Sequence, residues 1–155
     1  MLIYLNKRQA FISLLLAQIG KRYVYGAKGK DTPYGLFKWL VGAYGKAHYY
    51  FNGYSAESAV GDGEPDFDCS GLITSQAIEL VIITEHKNAR GIYNDYCYPL
   101  RFDQLIDGDL VFYENLGHIG VYYKGKVINA KSTKEGVVVS DTLNKFSKYG
   151  RLKML

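Results

Sequence analysis

The hydrophobic period of this chain changes near Gly91, and that change bounds what it can fold into. Before it, apolar residues recur three and four apart: Phe11, Ile12, Leu15, Leu16 and Ile19 fall on one helical stripe, and Leu72, Ile73, Ala77, Leu80 and Val81 on another. After it come short apolar runs separated by turn residues, DLVFY (109–113), HIGVYYK (118–124), KVINAKS (126–132), GVVVSD (136–141) and RLKML (151–155). Runs of this kind form antiparallel strands. Helices first and strands afterwards predict an α+β domain, with helices at the N-terminal side packed on a C-terminal antiparallel sheet. At 155 residues the whole chain, 1–155, is expected to form a single domain with its own core.

The first helix is expected over residues 7–20. Gln9 and Gln18 interrupt its apolar run, and Gly20 followed by Lys21 and Arg22 is a stop signal, so the segment reads as a structural helix and not as a secretory signal. No stretch is apolar for long enough to cross a bilayer. The expectation is a protein synthesised in the cytoplasm without its own export signal. A formal charge of +4 favours weak attraction to polyanions, nucleic acid or an anionic cell wall. There is no run of Lys and Arg and no basic helix, so nucleic acid is not expected as a partner.

Residues 28–64 carry little period beyond a short helical candidate at Leu36–Val41, and they read as a long functional loop. Five tyrosines (Tyr34, Tyr44, Tyr49, Tyr50 and Tyr54) accompany Trp39 and His48 there. Two readings stand: a gate whose aromatic faces stack on sugar rings, and a satellite hydrophobic cluster that pins the loop to the domain.

The segment PDFDCSGL places Cys69 where a turn gives way to a helix starting at Asp68 or Cys69. A helix N-terminus carries partial positive charge and stabilises a thiolate, so Cys69 is a candidate nucleophile. Cys97 is the only other cysteine. Neither lies in a spaced Cys/His set of the kind that holds zinc, and a bridge between them is expected to lose to a free thiol at Cys69.

A nucleophilic thiol needs a base, and the histidines are His48, His86 and His118. His118 opens a predicted strand and so stands on a rigid platform, whereas His48 lies in the aromatic loop and His86 in the charged stretch TEHKNAR. From spacing alone, a half-buried strand histidine bonded to a backbone carbonyl is an equally good reading of His118. An imidazole base works best when a third group holds its ring, and Asn129 is the candidate. With a two-residue turn at Lys124-Gly125, Gly120 falls opposite Asn129, and His118 and Asn129 lie diagonally on one face, about 7 Å apart. An odd turn would send Asn129 to the other face.

The order RYVYGAKG, DFDCSGL, LIDGDLVFY, HIGVYYKGKVINA and a closing GR resembles the NlpC family of papain-fold cell-wall cysteine peptidases. Members of that family typically show a Tyr-containing turn before the thiol, an Asp-Cys-Ser-Gly segment at a helix start, a Gly-Asp-Leu-Val-Phe strand and a His-Val-Gly-Ile-Tyr strand. The resemblance implies a papain-like fold, Cys69 as nucleophile, His118 as base and Asn129 as the residue orienting it. It further implies substrate-binding or site-shaping roles for Tyr23, Asp68 and Ser70, no cofactor or metal, and bacterial peptidoglycan as partner, cut in its peptide stem next to a D-γ-glutamyl unit and a diamino acid.

The sequence departs from the family pattern in three places. Asn129 stands where His is commoner, Arg22 where a Pro commonly precedes the Tyr, and Ala27 where a second Gly is common. The 41 residues between Gly26 and Asp68 also exceed a minimal member, which suggests a lid insertion at about 28–64. The leading expectation is a peptidoglycan hydrolase, as a phage endolysin or tail lysin would be. An amidase or acyltransferase with the same machinery, and a non-catalytic wall-binding protein that keeps the fold, are the alternatives.

Overall fold

The computed structural model describes residues 6–51 and 54–155. Four α-helices, α1 (Lys7–Leu16), α2 (Tyr34–Tyr44), α3 (Cys69–Glu79) and α4 (Ala89–Tyr96), accompany a six-stranded antiparallel sheet. Two short strand pairs precede that sheet, β1 (Arg22–Tyr23) parallel to β4 (Asp66–Phe67), and the hairpin β2 (Tyr50–Phe51) with β3 (Tyr54–Ser55). The sheet consists of β5 (Cys97–Leu100), β6 (Leu110–Phe112), β7 (Ile119–Tyr123), β8 (Lys126–Ser132), β9 (Gly136–Ser140) and β10 (Lys148–Leu152), in the order β5-β10-β6-β7-β8-β9. This is the papain-like α+β arrangement. No described helix is long and apolar enough to cross a membrane.

Alternation along the strands builds the core. Leu110, Phe112, Ile119, Val121, Ile128 and Ala130 face Phe11 and Leu15 of α1, Leu72, Ile73 and Ala77 of α3, and Ile92 of α4. Val111 and Val127 point the other way and pack with Phe146. Asp109, at the foot of β6, is fully buried and ties the two ends of the chain together. Its Oδ1 accepts from Arg8 Nη1 at 3.1 Å and Arg151 Nε at 2.9 Å, and its Oδ2 accepts from Arg151 Nη2 at 2.8 Å and the Ile106 N–H at 2.9 Å. The Asp of the GDLVF run and the Arg of the closing GR are thus one ion pair.

Several boundaries differ from expectation for local reasons. α1 stops at Leu16, short of Gly20, because Gly20 sits at φ +91° and donates its N–H to the Val137 carbonyl, which docks the chain on β9. α3 stops at Glu79. Val81 takes φ +58°, the Val81 N–H bonds Ile78 O and the Ile82 N–H bonds Ala77 O, which is a Schellman cap with valine in the left-handed position. Val81 is therefore 67% exposed, and the burial expected of it passes to Ile82 and Ile83. α4 and β5 were not anticipated. α4 has Gly91 in its interior and starts from an Asn88 side-chain cap, and β5 contains Pro99, which is tolerated because β5 lies at the sheet edge. The last strand is Lys148–Leu152 and not 151–155, since Tyr149 and Gly150 pair with both β5 and β6.

Residues 28–64 hold more structure than a loop. α2 runs on both sides of the Leu36–Val41 candidate, and a second small core forms from Val24, Ala27, Phe37, Leu40, Tyr49, Ala56 and Ala59. The fully buried Tyr49 fits the cluster reading of this segment, while Tyr34, Trp39, Tyr44, Tyr50 and Tyr54 remain exposed.

Candidate active site

Cys69 is the first residue of α3, and the local sequence explains how it is held. Asp68 is the N-cap: Oδ1 accepts from the Gly71 N–H at 2.6 Å and from Ser70 Oγ at 3.4 Å, and Oδ2 accepts from the Gly26 N–H at 3.1 Å. One carboxylate therefore caps the helix and fastens the Tyr25–Gly26 turn to it. Gly71 is required by contact, since a Cβ there would lie 2.1 Å from the Ala27 carbonyl oxygen. The β1–β4 pairing sets Tyr23 beside Phe67, and the Tyr23 hydroxyl lies within electrostatic reach of both Cys69 and Asp68. Burial foremost, and then Cys69 and Asp68, push the Tyr23 phenol far up.

The electrostatics of the thiol differ from the helix-end expectation. Burial, and then Asp68, push the Cys69 thiol up to about 11, although the backbone N–H groups of Ile119, Ser70 and Cys69 itself favour the thiolate. Desolvation and the three donors thus act on the thiol in opposite directions. Cys97 is buried, pushed up to about 12 by burial, and unbridged; both cysteines are free.

The register of the β7–β8 hairpin follows the even-turn expectation. Val121 pairs with Ile128, Tyr122 with Val127 and Tyr123 with Lys126, and the turn residues Lys124 and Gly125 both have positive φ, as a type I′ turn requires. Gly120 is a second contact-driven glycine, because a Cβ there would lie 2.3 Å from Val127 Cγ1 and 3.2 Å from Asn129 Cβ. His118 and Asn129 consequently share a face, and His118 Nε2 lies 2.9 Å from Asn129 Oδ1.

The surroundings of Asn129 decide which nitrogen of His118 carries the proton. Asn129 is 1% exposed, and its Nδ2 donates to the Val127 carbonyl at 3.3 Å and to Ser140 Oγ at 3.1 Å. The amide is thus pinned with Oδ1 towards the ring. An oxygen accepts, so Nε2 carries the hydrogen and Nδ1 is left as the basic nitrogen. Burial lowers the His118 pKa, the bond to Asn129 raises it, and Lys131 lowers it further. Tyr113 and Phe146 flank the ring at 4.9 and 5.7 Å between centroids.

The N-terminus of α3 packs against β7, and the backbone N–H of Ile119, the residue after His118, lies close enough to the Cys69 sulfur to favour its thiolate. Among the described residues no hydrogen bond joins Sγ to the imidazole. The other histidines are engaged elsewhere. His86 Nδ1 lies 2.6 Å from Thr74 Oγ1, and His48 stacks on Tyr25 at 4.0 Å. A cavity of about 490 Å³ on the Tyr23 side is lined by Tyr25, His48, Tyr54, Lys131 and Lys134 among others. Sequence reasoning missed Ser140, which holds Asn129; a register shift between Ala130 and Ser132 sets Ser140 opposite Val127, whereas the register carried straight from the turn would have set Asp141 there.

The domain is papain-like, with a thiol at a helix start and an Asn-held imidazole on the sheet. The sequence model of the NlpC/P60 family matches residues 20–154, and the chain belongs to that family. Its fold is similar to that of RipD from Mycobacterium tuberculosis, described as a non-catalytic NlpC/p60 domain protein adapted to peptidoglycan binding, at 19% identity over 98% of this chain and 100% of that one (TM-score 0.63). It is similar to the peptidoglycan hydrolase RipB from the same organism, at 19% identity over 93% of this chain and 63% of that one (TM-score 0.63). The NlpC/p60 domain of the peptidoglycan hydrolase SagA matches at 16% identity over 94% and 99% of the two chains (TM-score 0.60). No curated protein sequence matches the chain.

Proposed function

We propose that this domain is a cysteine peptidase that hydrolyses an amide in the peptide stem of bacterial peptidoglycan, at the bond between a D-γ-glutamyl residue and a diamino acid. The observation that carries the reading is the pinned Asn129 amide, which fixes His118 as the Nε2–H tautomer and frees Nδ1 as a base. In this reading Nδ1 takes the Cys69 proton as Sγ attacks the scissile carbonyl. The oxyanion is met by N–H groups of the first turn of α3, the C–N bond breaks as the proton passes to the departing amine, and water then hydrolyses the thioester. Tyr23, Asp68 and Ser70 shape the acyl side of the site.

The absence of a hydrogen bond between thiol and imidazole among the described residues, together with the likeness to RipD, favours one second reading, a wall-binding domain without turnover. Purified cell walls of several chemotypes, incubated with the protein and analysed by mass spectrometry of the soluble fraction, distinguish the two. The peptidase reading expects released peptides with a new amine on the diamino acid, and none from Cys69→Ala. Sedimentation of the protein with walls and no released peptide would replace it with the binding reading. Products cut at another amide or ester would make the protein an amidase or acyltransferase.

A further inference from the structure

Two cavities of about 330 and 310 Å³ share Gly26, Lys28 and His86. The first also touches Asp68 and Ser70, the residues on either side of Cys69, and the second extends to Lys30, Leu36 and Leu40. Lys28 and His86 therefore stand at the waist of a cleft that starts beside the candidate nucleophile.

We propose that this waist is a carboxylate subsite, in which the Lys28 ammonium and the His86 imidazole hold an acidic group of the stem peptide. The inference rests on the peptidase reading for its ligand and on this chain's own 28–64 segment for its lysine. Lys28 is exposed and, among the described residues, has no ion pair within 4.0 Å, unlike Lys87, which also lines the first cavity and is held by Glu85 and Asp95. Its backbone is fixed by a bridge to Phe67, and its charge reaches both Asp68 and His86. Asp68 does not occupy it as a partner, because both Asp68 oxygens are turned to Gly71, Gly26 and Ser70.

His86 is held at Nδ1 by the buried Thr74 hydroxyl, so Nε2 is the nitrogen left for a ligand. An ammonium and an imidazole nitrogen lining one opening suit a carboxylate, which accepts from Lys28 and, with Thr74 Oγ1 donating to Nδ1, from the Nε2–H of His86. The stem offers two such groups. A glutamyl residue linked through its γ-carboxyl keeps its α-carboxylate, and the diamino acid ends in another.

The test uses three tripeptides, L-alanyl-D-γ-glutamyl-L-lysine as the free acid, with the glutamyl α-carboxyl as carboxamide, and with the lysyl carboxyl as carboxamide. Binding to the inert Cys69→Ala protein is measured by calorimetry, alone and combined with Lys28→Met or His86→Gln, with melting curves to check folding. One carboxamide should bind about tenfold more weakly than the acid, which identifies the carboxylate read. Lys28→Met should weaken the acid by the same factor and erase the difference, and His86→Gln should weaken it about fivefold. Equal binding of all three peptides, a preference that survives Lys28→Met, or no binding at all would overturn the subsite. Cleavage by the unmodified protein is scored separately. Carboxylate-selective binding without cleavage removes the peptidase reading alone, and cleavage without selectivity removes the subsite alone.

Discussion

The sheet with α3 and the 28–64 segment solve the same problem, holding polar groups beside a thiol, in different ways. On the sheet, buried polar groups are fixed from several directions: Asn129, beside His118, by His118, Val127 and Ser140, and Asp109, at the foot of β6, by Arg8, Arg151 and Ile106. The 28–64 segment has its own small core around Phe37, Leu40 and Tyr49, separate from the main one, and it leaves Trp39 at 63% exposure and Lys28 unpaired among the described residues. The amide that orients His118 sits on regular elements of the sheet, whereas the exposed aromatic and cationic groups sit on a segment with a private core.

Removing Asp109 should produce the largest effect on the sheet side. Asp109→Ala leaves two arginines facing a buried gap and should cost about 3–4 kcal/mol of stability, short of the upper range because both arginines reach solvent. Urea denaturation checks this, and a loss below about 1 kcal/mol would mean that the ion pair does not fasten the sheet. On the insertion side, Tyr49→Ala removes a fully buried ring and its 3.0 Å bond to the Tyr25 carbonyl, at a cost of about 3 kcal/mol. Because its core is separate, the loss should appear as rapid proteolysis within 28–64 while Cys69 is still alkylated at the normal rate. Trp39→Ala should leave both readouts unchanged. If Tyr49→Ala instead raises KM without altering protease sensitivity, the segment is a gate and not a cluster.

The two regions also differ in how far the sequence revealed them. Period-two alternation exposed β6 to β9 because each strand has one face on the core, and the Lys124-Gly125 turn set the register that joins His118 to Asn129. What escaped was structure whose residues are locally poor for it: α4 with an interior Gly91, β5 with Pro99, and the Val81 cap, where a β-branched residue takes a conformation suited to glycine. The insertion was legible as aromatic but not as folded. Its core draws on Val24, Phe37, Tyr49 and Ala59, which are far apart along the chain and follow no single period. For the thiol, the backbone N–H groups that favour the thiolate were visible in sequence as a helix start, whereas the burial that opposes them was not.

A kinetic comparison at Asn129 sharpens the claim that the sheet region is the precise one. Asn129→Ala removes the acceptor from Nε2 and frees the ring to rotate, but it leaves thiol, imidazole and N–H donors in place. Turnover should fall about ten- to hundredfold, far less than in Cys69→Ala. Asn129→His, which can also accept from Nε2–H, should retain more activity than the alanine variant. Equal activity of Asn129→Ala and the unmodified protein would show that another group holds His118.

The smallest effect is the most specific. A base must be neutral to act, so kcat/KM should fall as pH drops through the His118 pKa, which burial places below the usual 6.5. Stability has the same sign, because the unfolded chain binds the proton more readily: it is fully present above 6.5 and is lost as pH falls through the folded-state pKa. The bond to Asn129 raises that pKa and Lys131 lowers it. Asn129→Ala should therefore move the acid limb of kcat/KM to lower pH, and Lys131→Gln should move it to higher pH, each by less than about one unit. Opposite shifts from two neighbours identify the titrating group as His118. His86 is also held low by burial, but Lys28 and Lys30 lie among its influences and Asn129 does not. An acid limb that ignores Asn129 and Lys131 but moves with Lys28→Met would assign the titration to His86 and transfer the base from the sheet to the cleft beside the insertion.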